Sequence, residues 1–262
     1  MAETGRTLAF YPPGPWELPD RAYATLRFGA EFCASVTPSA MDLVRAMAQG
    51  IRAGRKVELV TTYTPQPLLE WIHGILETVQ QEVGAIDLVI NDWGVYRLAR
   101  EVGFERFIFG RLLNRKRAGA ERTPEDVSLP EAYAAVLGRT AADNAYFANY
   151  LVSLGFVEAE YDNVLQGHDL PPESPLGRVL HTPYVFVTTS RKCPVGMVGQ
   201  PGDTVPVSGC RQQCGKFEAQ LQSDAYGVTL VQTGNTLFYE NPVAHPVPSG
   251  FSRVVEHARM PR

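Results

Sequence analysis

Nowhere does the chain hold a run of the ~18 apolar residues that a membrane-crossing helix requires, so no membrane span is expected. Met1 to Phe10 carries Glu3 and Arg6 and lacks the apolar core of a secretory leader, which points to a cytoplasmic location. An excess of basic charge is missing too. The formal net charge is −4 and the isoelectric point about 5.8, so a nucleic-acid partner is not expected. One basic run, Arg111 to Arg117, reads as a solvated loop or helix start. There is no internal repeat, and no biased segment beyond a proline-rich start. Cysteine is scarce, with four in 262 residues. In a reducing compartment so few thiols are metal ligands or catalytic groups more often than disulfide partners.

What is present is a regular alternation. Prolines 12, 13, 15 and 19 mark residues 1–20 as an extended arm, ahead of a single domain spanning the whole chain. Tyr23 to Phe28 reads as a strand, and Pro38 opens a helix whose apolar positions include Met41, Val44, Met47 and Ile51. Lys56 to Thr62 is strand-like, and the helix after Pro65 carries Leu68, Leu69, Ile72, Ile75, Leu76 and Val79. Ile86 to Ile90 is a strand, Val95 to Val102 a helix, and Arg106 to Phe109 a strand. Glu121 to Pro130 reads as a loop, Glu131 to Leu154 as a helix broken at Gly138, and Gly155 to Tyr161 as a strand. One or two strands divided near Pro183 follow. Tyr226 to Val231 and Thr236 to Tyr239 form a hairpin about Gly234 and Asn235. The fold class is therefore α/β with right-handed βαβ units and a mainly parallel sheet. An open doubly wound sheet and a closed barrel share this pattern.

The cysteines carry the chemistry. Cys210 and Cys214 are spaced so that one helical turn would place them on a single face. Between Cys193 and Cys210 lie Pro194, Gly196, Gly199, Pro201, Gly202, Pro206 and Gly209, a segment suited to folding back on the pair. Cys33 precedes Cys193 by 160 residues, yet each follows a strand. In a parallel α/β fold, residues beyond the carboxyl ends of different strands meet on one face. Four converging thiolates suit zinc or an iron–sulfur cluster; the plain alternative is no metal, with Cys33 a small buried core residue and the other three cysteines incidental or redox-active. Three cysteines do not share one short loop, which argues against radical S-adenosylmethionine chemistry.

At these residues the chain resembles the U-32 collagenase-like peptidase family, in particular its small UbiV and UbiU type members of oxygen-independent ubiquinone biosynthesis. The matching stretches are Leu26 to Cys33, Val89 to Gly94, Leu98 to Glu101, Gly110 to Asn114, Thr189 to Cys193, Cys210 with Cys214, and the hairpin at Gly234 and Asn235. Together they span about two-thirds of the chain and leave residues 117–176 unmatched. The resemblance implies a (β/α) barrel-type domain, complete or as an incomplete, distorted TIM-like barrel, with a C-terminal β hairpin. It implies a [4Fe–4S] cluster on Cys33, Cys193, Cys210 and Cys214, and a heterodimer with a homologous family member. It also implies hydroxylation without dioxygen of a quinone precursor or related small aromatic. Other branches of the family hydroxylate RNA bases. The family's frequent His-Gly pair is replaced here by His181 and Thr182. Proteolysis is implied by the family name, but no Ser/His/Asp or Cys/His arrangement accompanies it.

Further candidates follow the strands. Asn91 and Asp92 are either functional polar groups or a helix cap. Arg111 and Asn114 are placed to orient an anionic or carbonyl group, or to line a surface loop. Ser190 and Arg191 are candidates for hydrogen-bonding cluster sulfurs, and His181 is the histidine near the site. The readings left open are an iron–sulfur subunit of a hydroxylation system, a scaffold subunit stapled by a cluster or a zinc ion, and a family hydrolase.

Overall fold

The computed structural model describes residues 5–10, 23–116, 130, 138–198, 210, 212–216, 218–223, 227–242, 249–257 and 259–261. The strands are β1 (Gly5–Phe10), β2 (Thr25–Gly29), β3 (Lys56–Val60), β4 (Asp87–Ile90), β5 (Phe107–Phe109), β6 (Phe156–Asp162), β7 (Gly177–Thr182), β8 (Tyr184–Thr189), β9 (Ala219–Ser223), β10 (Val228–Thr233), β11 (Thr236–Glu240) and β12 (Arg253–His257). Helices α1 (Ala40–Arg52), α2 (Leu69–Val83), α3 (Trp93–Val102) and α4 (Ala145–Ser153) follow β2, β3, β4 and β5, and α5 (Pro194–Met197) is a single turn.

Strands β1 to β7 and β12 close into an eight-stranded parallel barrel, in which β1 pairs with both β2 and β12. The alternation thus resolves as a closed barrel. Side chains of period two divide the apolar residues between its faces. Leu26, Phe28, Leu59, Leu88, Ile90, Phe107, Phe109 and Leu180 point out and pack under the helices. Ala9, Val60, Val89, Ile108, Val179 and Val255 form a separate cluster inside. Each helix presents an apolar stripe to the barrel, Leu43, Val44, Met47 and Gly50 on α1, and Ile72, Ile75, Leu76 and Val79 on α2.

The interior layer nearer the strand starts is charged. Arg27 donates from Nη2 to Glu58 at 2.8 Å and pairs with Glu160, all three side chains being almost wholly buried. Arg253 reaches Glu158 at 2.6 Å and Glu58 at 3.0 Å.

After β7 the chain leaves the barrel to build an antiparallel sheet in the order β8-β11-β10-β9, then returns as β12. The expected hairpin is the β10–β11 pair of this sheet, so it is followed by a barrel strand instead of ending the fold. One correction concerns the amino terminus. Gly5–Phe10, expected within an extended arm, is the barrel strand β1, held by ladders on both sides. Residues 11–20 of that arm, the loop of residues 121–129 and the helix start at residues 131–137 lie outside the described residues. The helix expected up to Leu154 begins only at Ala145, where the Asn144 side chain accepts from the Phe147 N–H at 3.0 Å.

Candidate metal centre

The carboxyl ends of the barrel strands form the mouth on which the candidate residues stand. At the end of β2, Gly29 adopts φ +126°, and a Cβ there would lie 2.2 Å from the Val60 carbonyl oxygen. Only glycine lets the chain turn so close to β3. The next residues each take a different anchor. Glu31 binds Arg111 through both oxygens, at 2.7 and 2.8 Å. Phe32 inserts its ring between Phe186 of β8 and Phe238 of β11, at 5.4 and 5.1 Å between centroids. Cys33 is thereby delivered, half-buried, to the seam between the barrel mouth and the antiparallel sheet.

The other thiols arrive from that sheet's long connection. Cys193 caps the turn α5, and its sulfur accepts from the Gly196 N–H at 3.2 Å. The Cys210 sulfur accepts from the Gln212 N–H at 3.4 Å. Cys214 is buried in a 3-10 turn, Gln213–Gly215. The expected helical turn from Cys210 to Cys214 does not form. Gln212 between them is left-handed, with φ 52°, and sends its Nε2 to the Ser35 carbonyl at 2.7 Å, tying this segment to the Cys33 loop. Cys33, Cys193 and Cys214 share one apolar cluster with Ala30, Val36 and Val195. Burial pushes the Cys33 thiol up to about 11, and the charges of Cys193 and Cys210 add to the effect. The Cys193 thiol is raised by burial and by Cys210. Cys33, Cys193 and Cys214 thus come from distant parts of the chain into one cluster, and Cys210 lies within electrostatic reach of Cys33 and Cys193. Among the described residues no three His, Cys, Asp or Glu side chains form a ready-made set for a single metal ion. As donors the four fit a group that carries positive charge and prefers sulfur, since such a charge offsets the desolvation and mutual repulsion of buried thiolates.

The remaining candidates support the mouth. Arg111 is wholly buried and binds Asp162 at 2.7 Å and the Tyr184 carbonyl at 3.0 Å besides Glu31. Its guanidinium lies 5.1 Å from the centre of the Phe32 ring. Burial pushes the Asp162 carboxyl up to about 6, against the opposing pull of Arg111. Asn91 joins the Thr61 carbonyl to the Leu112 N–H, and Asn114 joins the Glu160 carbonyl to the Ala142 N–H. Asp92 caps α3 through the Gly94 and Val95 N–H groups at 2.7 and 3.2 Å, the plainer of its two readings. His181 is buried inside the barrel, 3.0 Å from His257 and 3.2 Å from Glu160, and burial keeps both imidazoles uncharged at neutral pH.

Ser190 and Arg191 were expected beside the sulfurs. Both are exposed, and the Ser190 hydroxyl donates to the Lys192 carbonyl; its backbone carbonyl, however, accepts from the Tyr63 hydroxyl at 3.0 Å and from Asn235 Nδ2 at 2.9 Å. Tyr63, Ser35 and the Asn235 side chain are the neighbours that sequence reasoning did not assign. Tyr63 lies within electrostatic reach of Cys33, and burial raises its phenol. The Asn235 turn was visible in the sequence; its contacts were not, because they cross from one sheet to the other.

The class so defined is a closed parallel (β/α) barrel with an antiparallel sheet at its mouth, and Cys33, Cys193 and Cys214 clustered between them. No protein-family model matches the chain, and no curated protein is similar to it. One solved structure, a U32 peptidase, is similar over 99% of this chain and 94% of its own, with a TM-score of 0.45 and 10% identity. The activity in its name is that protein's, and the barrel described above stands on its own strand pairing.

Proposed function

We propose that Cys33, Cys193, Cys210 and Cys214 hold one [4Fe–4S] cluster, and that the chain is the iron–sulfur subunit of an oxygen-independent hydroxylation system. The observation that carries this reading is that Cys33 shares one apolar cluster with Cys193 and Cys214, at least 160 residues further along, and lies within electrostatic reach of Cys210. A cluster there supplies one-electron transfer. Four protein thiolates would occupy every iron, so a substrate is handled by the chain and not by direct ligation.

Around the sulfurs the residues hold geometry and exclude water. Gly196 and Gln212 donate backbone N–H groups to the Cys193 and Cys210 sulfurs, and the bond from Gly196 favours the Cys193 thiolate against the effect of burial. Val36, Val195 and Ala30 keep the seam dry. A quinone precursor or related aromatic as substrate, UbiV or UbiU type membership, a homologous partner subunit and a cytoplasmic setting all rest on the family resemblance. Hydrolysis is the weaker alternative, because His181 faces His257 and Glu160, and among the described residues no hydroxyl or thiol is hydrogen-bonded to it.

Anaerobic purification tests the proposal. Brown protein with about four irons per chain and broad absorption near ~400 nm is expected. Single Cys→Ser changes at each of the four positions should each remove most of that iron. Colourless protein with one zinc would replace the cluster with a structural staple. Full iron in the Cys33→Ser variant would remove Cys33 from the ligand set.

A further inference from the structure

We infer that the tip of the β10–β11 hairpin, through Asn235, is the positioning element that sets the spacing of the cysteine loops. This inference rests on the metal-centre reading but is carried by different observations. The two N–H bonds of Asn235 Nδ2 are aimed at the Phe32 carbonyl at 2.8 Å and the Ser190 carbonyl at 2.9 Å, and the Tyr63 hydroxyl lies 3.1 Å from the same nitrogen. Phe32 directly precedes Cys33, and Ser190 is three residues before Cys193. One buried amide thus ties together the loops that carry Cys33 and Cys193, 160 residues apart in the sequence.

Three further contacts fix the arrangement. The Ser190 N–H donates to the Asn235 backbone carbonyl at 3.1 Å, so side chain and main chain hold the same residue. Tyr63 closes the triangle with its own bond to Ser190. Gly234, with φ +57°, lies against Cys214, since a Cβ placed there would meet that residue's Cβ at 3.5 Å and its sulfur at 3.8 Å. Three of the four cysteine segments therefore touch the same two-residue tip.

Gly-Asn is an ordinary two-residue hairpin turn, in which Gly234 supplies the positive φ and the asparagine side chain stays free to bond elsewhere. Asparagine is favoured in tight hairpins where the backbone needs a positive φ. Among the described residues Gln212 is the non-glycine residue with positive φ, and Asn235 is not. The side chain is what the position uses. Its oxygen accepts from the neighbouring Thr236 hydroxyl at 3.1 Å, which orients the amide so that both N–H bonds face the loops.

The test uses the full chain, loaded anaerobically with ferrous iron and sulfide, and two substitutions. Asn235→Ala removes the amide, and Asn235→Asp keeps its shape while losing both donors. Asn241→Ala serves as the control, because Asn241 exchanges two hydrogen bonds with Asn163 near the far end of β11 and is remote from the tip. Iron retention against a chelator is measured on each. On the metal-free chain, a short bifunctional thiol reagent then reports how often Cys33 and Cys193 are linked, with the link mapped by mass spectrometry.

Both Asn235 variants should weaken retention about 10- to 100-fold, the usual effect of losing a group that orients ligands. They should also lower the Cys33–Cys193 link yield several-fold, whereas Asn241→Ala lowers thermal stability and leaves both readouts near wild type. Asn235 variants that retain iron and cross-link like the wild type would overturn the inference, as would an Asn241→Ala variant that loses both equally. Should the wild type itself bind no iron, the metal-centre reading falls, and the cross-link comparison decides the positioning role alone.

Discussion

At the scale of single residues, His168 shows how a neighbour decides the charge of a side chain. Its Nε2–H donates to the Asp162 carbonyl at 2.7 Å, and its ring stands edge-on to Tyr161 and Phe251. Among the described residues its buried Nδ1 has no hydrogen-bond partner, so a second proton there would be a buried, unanswered charge. Burial accordingly pushes its pKa from 6.5 down to about 4. The sign of the linkage follows. Between about pH 6.5 and pH 4 the unfolded chain binds a proton that the folded chain refuses, so this residue's share of stability is present above that window and is lost as pH falls through it. His168→Gln, which keeps a donor for the carbonyl, should flatten the fall in unfolding free energy between pH 6.5 and 4 by about 1–2 kcal/mol. Parallel curves for the two proteins would show that His168 does not set this slope. Nothing in the sequence around His168 signalled this role, because both aromatic neighbours and the buried carbonyl belong to the tertiary packing.

At the scale of elements, the ends of helices and the edges of strands behaved differently as signals. Asp92 could be read as a cap because it stands immediately before an apolar pattern of helical period, and α3 does start there, ending at Gly103 with φ 103°. Replacing Asp92 by alanine should cost about 1 kcal/mol of stability, read from the denaturation midpoint, since two N–H groups lose their acceptor. A change above about 2 kcal/mol would mean that the bond from the Thr64 N–H at 3.4 Å also counts, by binding the β3 loop to α3. Strands β2 to β8, β10 and β11 were legible as apolar runs or alternations. β1, β9 and β12 were not. β12 reads Arg253, Val254, Val255, Glu256, His257, a polar pattern that makes sense only once Arg253 is seen to face a carboxylate-lined interior.

At the scale of the whole molecule, that charged interior holds the barrel closed. Arg27 comes from β2, Glu58 from β3, Glu160 from β6 and Arg253 from β12, so the network crosses the barrel from wall to wall. Arg27→Met should destabilise the protein by about 3–5 kcal/mol, because Glu58 and Glu160 would be left as buried, underpaired carboxylates. Loss of the exposed Arg45–Asp42 pair, at 3.3 Å on the surface of α1, should change stability by less than about 0.5 kcal/mol. Urea denaturation of both variants checks the contrast, and equal losses would contradict it.

By itself the sequence determined the α/β alternation and the local hairpin, because each depends on residue spacing within one element or between neighbouring ones. Only the tertiary structure decided that the sheet closes through β1 and β12, that an antiparallel sheet stands at the mouth, and that Cys33 meets Cys193 there. Closure and convergence depend on pairing between segments up to 250 positions apart, as in the bond from Arg6 to Glu256. Periodicity within a segment carries no record of its partner across the barrel, so these features exist only once the chain is folded.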